Sequence, residues 1–242
     1  MGFLINPFRF GLPLPVPVLA SFSIAKTAGN EFSLDVPKPS GLAEGDLLLL
    51  AMALDRGGDG GVTSITHPGS MTTVEDDDAA GGYVQGTVLG RIATASEPAN
   101  YSFSWTTGDG LVGQEAVIAA LRISGAAATF GNAVHQSAIA TVGGSGSATP
   151  TSPGLTTTKS NCLILRFLFG DSDTNFTEDN GYNPSETTEQ WARRSSTTAG
   201  FGPAQNHLAT EEKAAAGAVS SKTFSIVAAD QCVGITVAVS PS

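Results

Sequence analysis

Tyr101-Ser102-Phe103-Ser104-Trp105 sets an aromatic ring at every second residue, with serines between. Only a strand, whose side chains alternate between two faces, brings all three rings to one side. The same grammar recurs. Phe32-Ser33-Leu34-Asp35-Val36 alternates apolar with polar, Val117, Ala119, Leu121 and Ile123 line one face, and Phe224 and Ile226 alternate with Thr223 and Ser225. Leu47–Leu54 and Leu163–Phe169 are largely apolar, as strands covered on both faces must be. Turn signals punctuate these runs at Gly57-Gly58-Asp59-Gly60-Gly61, Gly81-Gly82, Asp109-Gly110 and Asn180-Gly181. Only the Ala-rich Glu211–Ala218 tolerates helix, and a turn or two is expected there. Strands and turns without a helical period predict an all-β, antiparallel sandwich or barrel.

The 242 residues suffice for one large β domain or two small ones, and an apolar content of 41% suffices for a core. Charged residues make up only 14% and glycines number 29, which suits short strands joined by many turns. The net charge is −10, with 12 Lys and Arg spread along the chain. A nucleic-acid partner needs a basic stripe, and Arg193-Arg194 is the only adjacent basic pair, so neither nucleic acid nor an anionic membrane is expected as a partner. No run of 18 apolar residues predicts a transmembrane helix. Pro7, Pro13, Pro15 and Pro17 interrupt any signal-peptide core, and Asn6 stands where a myristoylation motif wants Ser or Thr.

Residues 1–17 read as an extended, Pro-rich N-terminal arm, because the prolines of LPLPVPV fix the backbone near the polyproline conformation and remove ladder donors. Residues 18–242 read as a single β-sandwich. Within it an echo is visible at an offset of 116: Leu47 and Leu49 fall on Leu163 and Leu165, Pro68 on Pro184, Thr72 on Thr188, and Ala93-Thr94 on Ala209-Thr210. Further on, Phe103-Ser104-Trp105 answers Phe224-Ser225-Ile226. Two similar halves, about 40–125 and 158–242, would then be joined by a Gly/Ser/Pro/Thr-rich connection at 141–158 and pack face to face. Chance recurrence of β grammar explains the same echo.

Chemistry is sparse. No G-x-S-x-G elbow, H-E-x-x-H or P-loop is present, and His67, His135 and His207 stand apart. Cys162 and Cys232 each begin an apolar run, and read as buried thiols, or as a cross-strand disulfide if their strands are neighbours. Asp171, Asp173 and Asn175 start like a calcium loop, but Phe176 and Tyr182 stand where Gly and a bidentate Glu are needed; an irregular site with Glu178 is the residual reading. Glu75-Asp76-Asp77-Asp78 reads as a solvated acidic loop. Trp105 reads as core. Trp191, in a polar segment, reads as an edge-strand or intersubunit anchor, with glycan stacking as the other reading. No catalytic residue, cofactor or metal is expected, and a hydrolase has no motif in its support.

The opening MGFLINPFRFG resembles the start of many structural proteins of tailed bacteriophages. The block running from Gly45-Asp46-Leu47-Leu48-Leu49-Leu50, through Arg91–Pro98 and Tyr101–Trp105, to Ala119–Gly125 is similar to phage tail, decoration and minor capsid proteins with jelly-roll-like sandwiches. It departs from them at Pro68-Gly69-Ser70-Met71, where relatives often carry Gly-Trp. The resemblance implies a jelly-roll-like β-sandwich in a non-enzymatic virion structural protein. Such a protein is a capsid decoration (cement) or tail-associated subunit, assembled in the host cytoplasm and homo-oligomeric. Its partners would be other virion proteins and copies of itself. Phe3, Leu4, Ile5, Phe8 and Phe10 of the arm, with Trp191, are the expected interface residues. The alternative is a receptor- or glycan-binding appendage (fibre or spike) that meets host surface glycan through loops 55–82 and 171–186.

Overall fold

A computed structural model describes residues 14–57, 61–79, 82–108, 110, 112–171, 184–195, 203–226 and 229–242. The chain is an all-β sandwich in which every paired strand is antiparallel. Its first part forms β1 (Val18–Lys26), β2 (Ser33–Pro37), β3 (Leu47–Asp55), β4 (Val62–Thr66), β5 (Thr72–Asp78), β6 (Val84–Ile92), β7 (Asn100–Thr107) and β8 (Ala116–Ser124). A single helical turn, α1 (Phe130–Ala133), follows. Then come β9 (Val134–Ser147), β10 (Thr151–Ser152), β11 (Leu155–Thr157), β12 (Cys162–Asp171), β13 (Thr188–Arg194), β14 (Ala204–Lys213), β15 (Gly217–Val219), β16 (Lys222–Thr223) and β17 (Asp230–Val239).

These strands stack in layers. Two five-stranded sheets, β1-β8-β3-β6-β5 and β13-β14-β12-β17-β9, face each other across the main core. A three-stranded sheet, β2-β7-β4, covers the far face of the first, and the ribbons β10-β16 and β11-β15 cover the far face of the second. This layering explains the continuous apolar runs. On β3, Leu47, Leu49, Ala51 and Ala53 face the second sheet, while Leu48, Leu50, Met52 and Leu54 face Val36, Tyr101, Phe103 and Trp105. On β12, Leu163, Leu165, Phe167 and Phe169 take the inner side. Each such Leu or Phe contributes roughly 1.5–3 kcal/mol by leaving water. Gly234 admits the cover on the second sheet, since a Cβ there would lie 2.2 Å from the Thr151 carbonyl oxygen of β10.

The two five-stranded sheets repeat each other strand for strand. On the central strands Leu47 pairs with Ile123 and Leu163 with Val239, and both members advance by the same 116 positions. Edge strands β5 and β13 correspond at the same offset, down to a β-bulge between Thr73 and Glu75 in one and between Glu189 and Trp191 in the other. Strands β1 and β9 each carry a bulge at the matching place, between Leu19 and Ser21 and opposite Ala238/Val239. Bulges re-aim a strand at fixed points, so these coincident ones extend the correspondence from strand order to register.

Several expectations are corrected. Residues 141–158 are not the connection between the halves: they complete β9 and form β10 and β11, and the crossing between sheets runs through 125–133 instead. Composition misled there because Gly, Ser and Thr also serve an edge strand. Glu211–Ala218 forms no helix. Pairing of Cys162 with Lys213 holds the chain extended, and tertiary pairing outweighs alanine's helix propensity. Ala209-Thr210 lies within β14 and is no counterpart of the Ala93-Thr94 turn, because Ile92 pairs with Leu47 where Glu212 pairs with Leu163. Of the arm, only Leu14–Pro17 is described: the Leu14 carbonyl accepts from Asn161 Nδ2 at 2.8 Å, and Val16 packs on the main core.

Candidate functional site

A polar concavity opens at the end of β6, where the turn into β7 meets the β4–β5 loop. Its volume is about 610 Å³, and His67, Ser70, Arg91, Thr94, Asn100 and Tyr101 are among its lining residues. Glu97 organises its wall. The carboxylate accepts from the Thr94 amide at 2.8 Å, the Thr94 hydroxyl at 3.2 Å and the Tyr101 hydroxyl at 2.8 Å, and it pairs with Arg91. Burial works to raise the Glu97 carboxyl, but the Thr94, Arg91 and Tyr101 donors outweigh it and hold it below its ordinary value. Tyr101 is pushed the other way, by burial first and then by its hydrogen bond to Glu97 and that carboxylate's charge. Arg91 stands over the Tyr101 ring, 6.0 Å from its centroid. His67 leans edge-on to Phe103 at 6.0 Å, and burial lowers its pKa against the opposing pull of Asp76.

The cleft is therefore lined by hydroxyls, an amide, a neutral imidazole and an arginine already neutralised by Glu97. Such a lining suits a neutral polyhydroxylated ligand better than an anion.

The other histidines sit elsewhere. His135 Nε2 meets both the amide of Thr158 (3.0 Å) and its hydroxyl (3.1 Å). With the amide donating, the nitrogen lone pair is already engaged, so this pair ties β9 to the segment after β11 and does not activate the hydroxyl. His207 is fully buried, near Gln205 and edge-on to Phe224. Burial pushes its pKa down to about 3.

Cys162 and Cys232 are both free and buried. Their strands are neighbours, but antiparallel pairing sets Cys232 opposite Gly170, at the far end of β12 from Cys162. Eight residues of strand separate the two thiols, about 26 Å. Burial raises both thiol pKa values.

The acidic run Glu75–Asp78 is not a loop but edge strand β5. Its carboxylates are taken up singly. Glu75 accepts from Ser137 at 2.6 Å, Asp76 from Thr87 at 2.6 Å, and Asp78 pairs with Arg56. Asp171 ends β12, while Asp173, Asn175 and Glu178 lie outside the described residues. Among the described residues no three His, Cys, Asp or Glu side chains gather as a metal site.

Trp191 is fully buried within the single chain, so it offers no face to another subunit or a sugar. It packs between the two five-stranded sheets, with its ring centroid 4.8 Å from that of Phe22 and its indole Nε1 donating to Asn206 Oδ1 at 3.1 Å. The polar residues around it concealed this, because the bulge at Gln190 turns the indole inward. Phe3, Leu4, Ile5, Phe8 and Phe10 lie outside the described residues. Trp105 is core, as expected, and its Nε1 donates to the Glu31 carbonyl at 2.8 Å. Sequence reading missed the Arg91–Glu97–Tyr101 cluster as a cleft wall, although the spacing Arg-x5-Glu-x3-Tyr was on view.

Comparison with protein-family models, with curated proteins and with solved structures gives no match. No described helix is long and apolar enough to cross a membrane.

Proposed function

We propose that this chain is a non-enzymatic structural protein of a tailed-bacteriophage virion, a capsid decoration or tail-associated subunit that works through subunit–subunit contacts. The observation that carries the reading is the exposed apolar pair Leu14 and Val18 at the sheet edge where the arm arrives. Leu14 is 51% exposed and Val18, which starts β1, the outermost strand of its sheet, is 57% exposed, while Phe22 further along β1 turns inward against Trp191. Natural proteins keep unpaired edges short or charged, and exposed apolar side chains beside an open edge are a surface for association. The strand orders β1-β8-β3-β6 and β2-β7-β4 support a jelly-roll reading in which β5 has moved onto β6; that architecture is common in capsid proteins. Light scattering of the full chain and of a chain lacking residues 1–17 tests it. An oligomer, or a particle-bound subunit, that is released by the truncation or by joint Phe8→Ala and Phe10→Ala is the expected result. Unchanged incorporation into particles overturns it.

The second reading is a receptor- or glycan-binding appendage. The cleft at His67, Arg91 and Tyr101 favours it, because residues 67–70 belong to the loop region named for that role. Binding to host surface polysaccharide that Arg91→Ala weakens at least tenfold would support it, and binding indifferent to Arg91 would remove it.

A further inference from the structure

We infer that the chain is a fused dimer: residues 14–124 and 134–242 are two copies of one unit, and the face each buries is its binding site for the other. The register and bulge coincidences make the sheets equivalent strand by strand, with β1 matching β9, β8 matching β17, β3 matching β12, β6 matching β14 and β5 matching β13. The way they pack adds a second, independent observation. Edge β1 lies over β13, where Phe22 meets Trp191, and edge β5 lies over β9, where Ser137 donates to Glu75. Between them β8 lies over β14 and β6 over β17. Exchanging each strand for its counterpart turns this stack into itself, which is the geometry of a twofold, self-complementary interface.

Single residues obey the same exchange. Gly86 and Asn206 occupy equivalent places, opposite Ala53 and Phe169 on the central strands. A Cβ at Gly86 would lie 2.6 Å from Phe169 and 2.8 Å from Val233, both in the other half. Asn206 reaches the opposite way, donating to the carbonyls of Ala51 at 3.0 Å and Val117 at 3.3 Å. Val117 and Val233 are themselves equivalent, since they pair with Ala53 and Phe169. On the shared face the copies have diverged in how they fill it, Gly86 leaving room for Phe169 where its counterpart Asn206 reaches across to the first sheet. Consequently the partner for this apolar face is already supplied within the chain. Contacts to other molecules are left to the sheet edges and to the outer layers, which differ between the halves.

A protease site inserted between the exposed residues Ala128 and Thr129 tests this on the full chain. After cutting, light scattering is expected to return the mass of the uncut protein. The melting temperature is expected to fall more steeply on dilution after cutting than before, as the added two-body association requires. Gly86→Leu is expected to separate the cut halves at micromolar concentration. Asn206→Ala, which adds no volume, is expected to weaken the cut pair about tenfold. A cut parent that separates or precipitates overturns the inference. So does a cut Asn206→Ala protein held as tightly as the parent.

Discussion

Trp191 and Asn206 sit side by side in the middle of the molecule, the indole donating to the amide oxygen at 3.1 Å while the amide nitrogen donates across to the first sheet. Both are fully buried. An unpaired polar group in such a place costs about 1–3 kcal/mol. Asn206→Ala leaves the indole N–H without its acceptor, so a loss of about 2 kcal/mol is expected. For a chain of this size that is about 4–8 °C in melting temperature. Thermal unfolding followed by circular dichroism checks it, with Trp emission staying blue below the transition.

Arg166 is fully buried and occupies the place that Leu50 holds in the first half. Its guanidinium meets Glu211, donates to Ser152 Oγ at 3.0 Å and to the Ser220 carbonyl at 2.8 Å. Removing one partner of a buried pair strands the other's charge, whereas replacing both partners by apolar residues of similar volume is tolerated well. Glu211→Ala is therefore expected to cost about 3 kcal/mol, and joint Arg166→Met and Glu211→Leu under about 1 kcal/mol. Denaturant titration of both variants decides; equal losses would contradict the reading.

Acid should destabilise the protein through His207. Its folded pKa, about 3, lies below its ordinary 6.5. The unfolded chain takes up a proton in that window and the folded chain does not. The stability is complete above pH 6.5 and falls toward pH 3 by about 1.4 kcal/mol per pH unit. His207→Gln, which does not titrate, is expected to flatten that slope in urea titrations between pH 6.5 and 4.5. Glu97, whose folded pKa is depressed, acts at lower pH. Its contribution is present above about pH 4.5 and is lost as pH falls through the folded value.

The thiols offer a direct check on strand direction. Both are buried with raised pKa values, so native protein should react with a thiol reagent far more slowly than unfolded protein, which should show two thiols. An oxidised mass two hydrogens lighter under non-reducing conditions would contradict the antiparallel register of β12 and β17.

Local alternation made the strands legible. Serines between the rings of Tyr101, Phe103 and Trp105 fixed period and face, and unbroken runs at Leu47–Leu54 and Leu163–Phe169 marked strands covered twice. Those signals live within a few residues, so the sequence by itself determined that the chain is β and which strands are central. It did not determine what covers them. Whether Trp191 faces solvent or core depends on one bulge and on the sheet stacked above it. Whether Cys162 can reach Cys232 depends on strand direction, and whether Glu75 is solvated depends on Ser137 arriving from another sheet. The cleft likewise needs Arg91, Glu97 and His67 brought together from β6, a turn and a distant loop. Such pairings are settled by which faces bury one another. That is a property of the whole packed chain, and only the tertiary structure decided it.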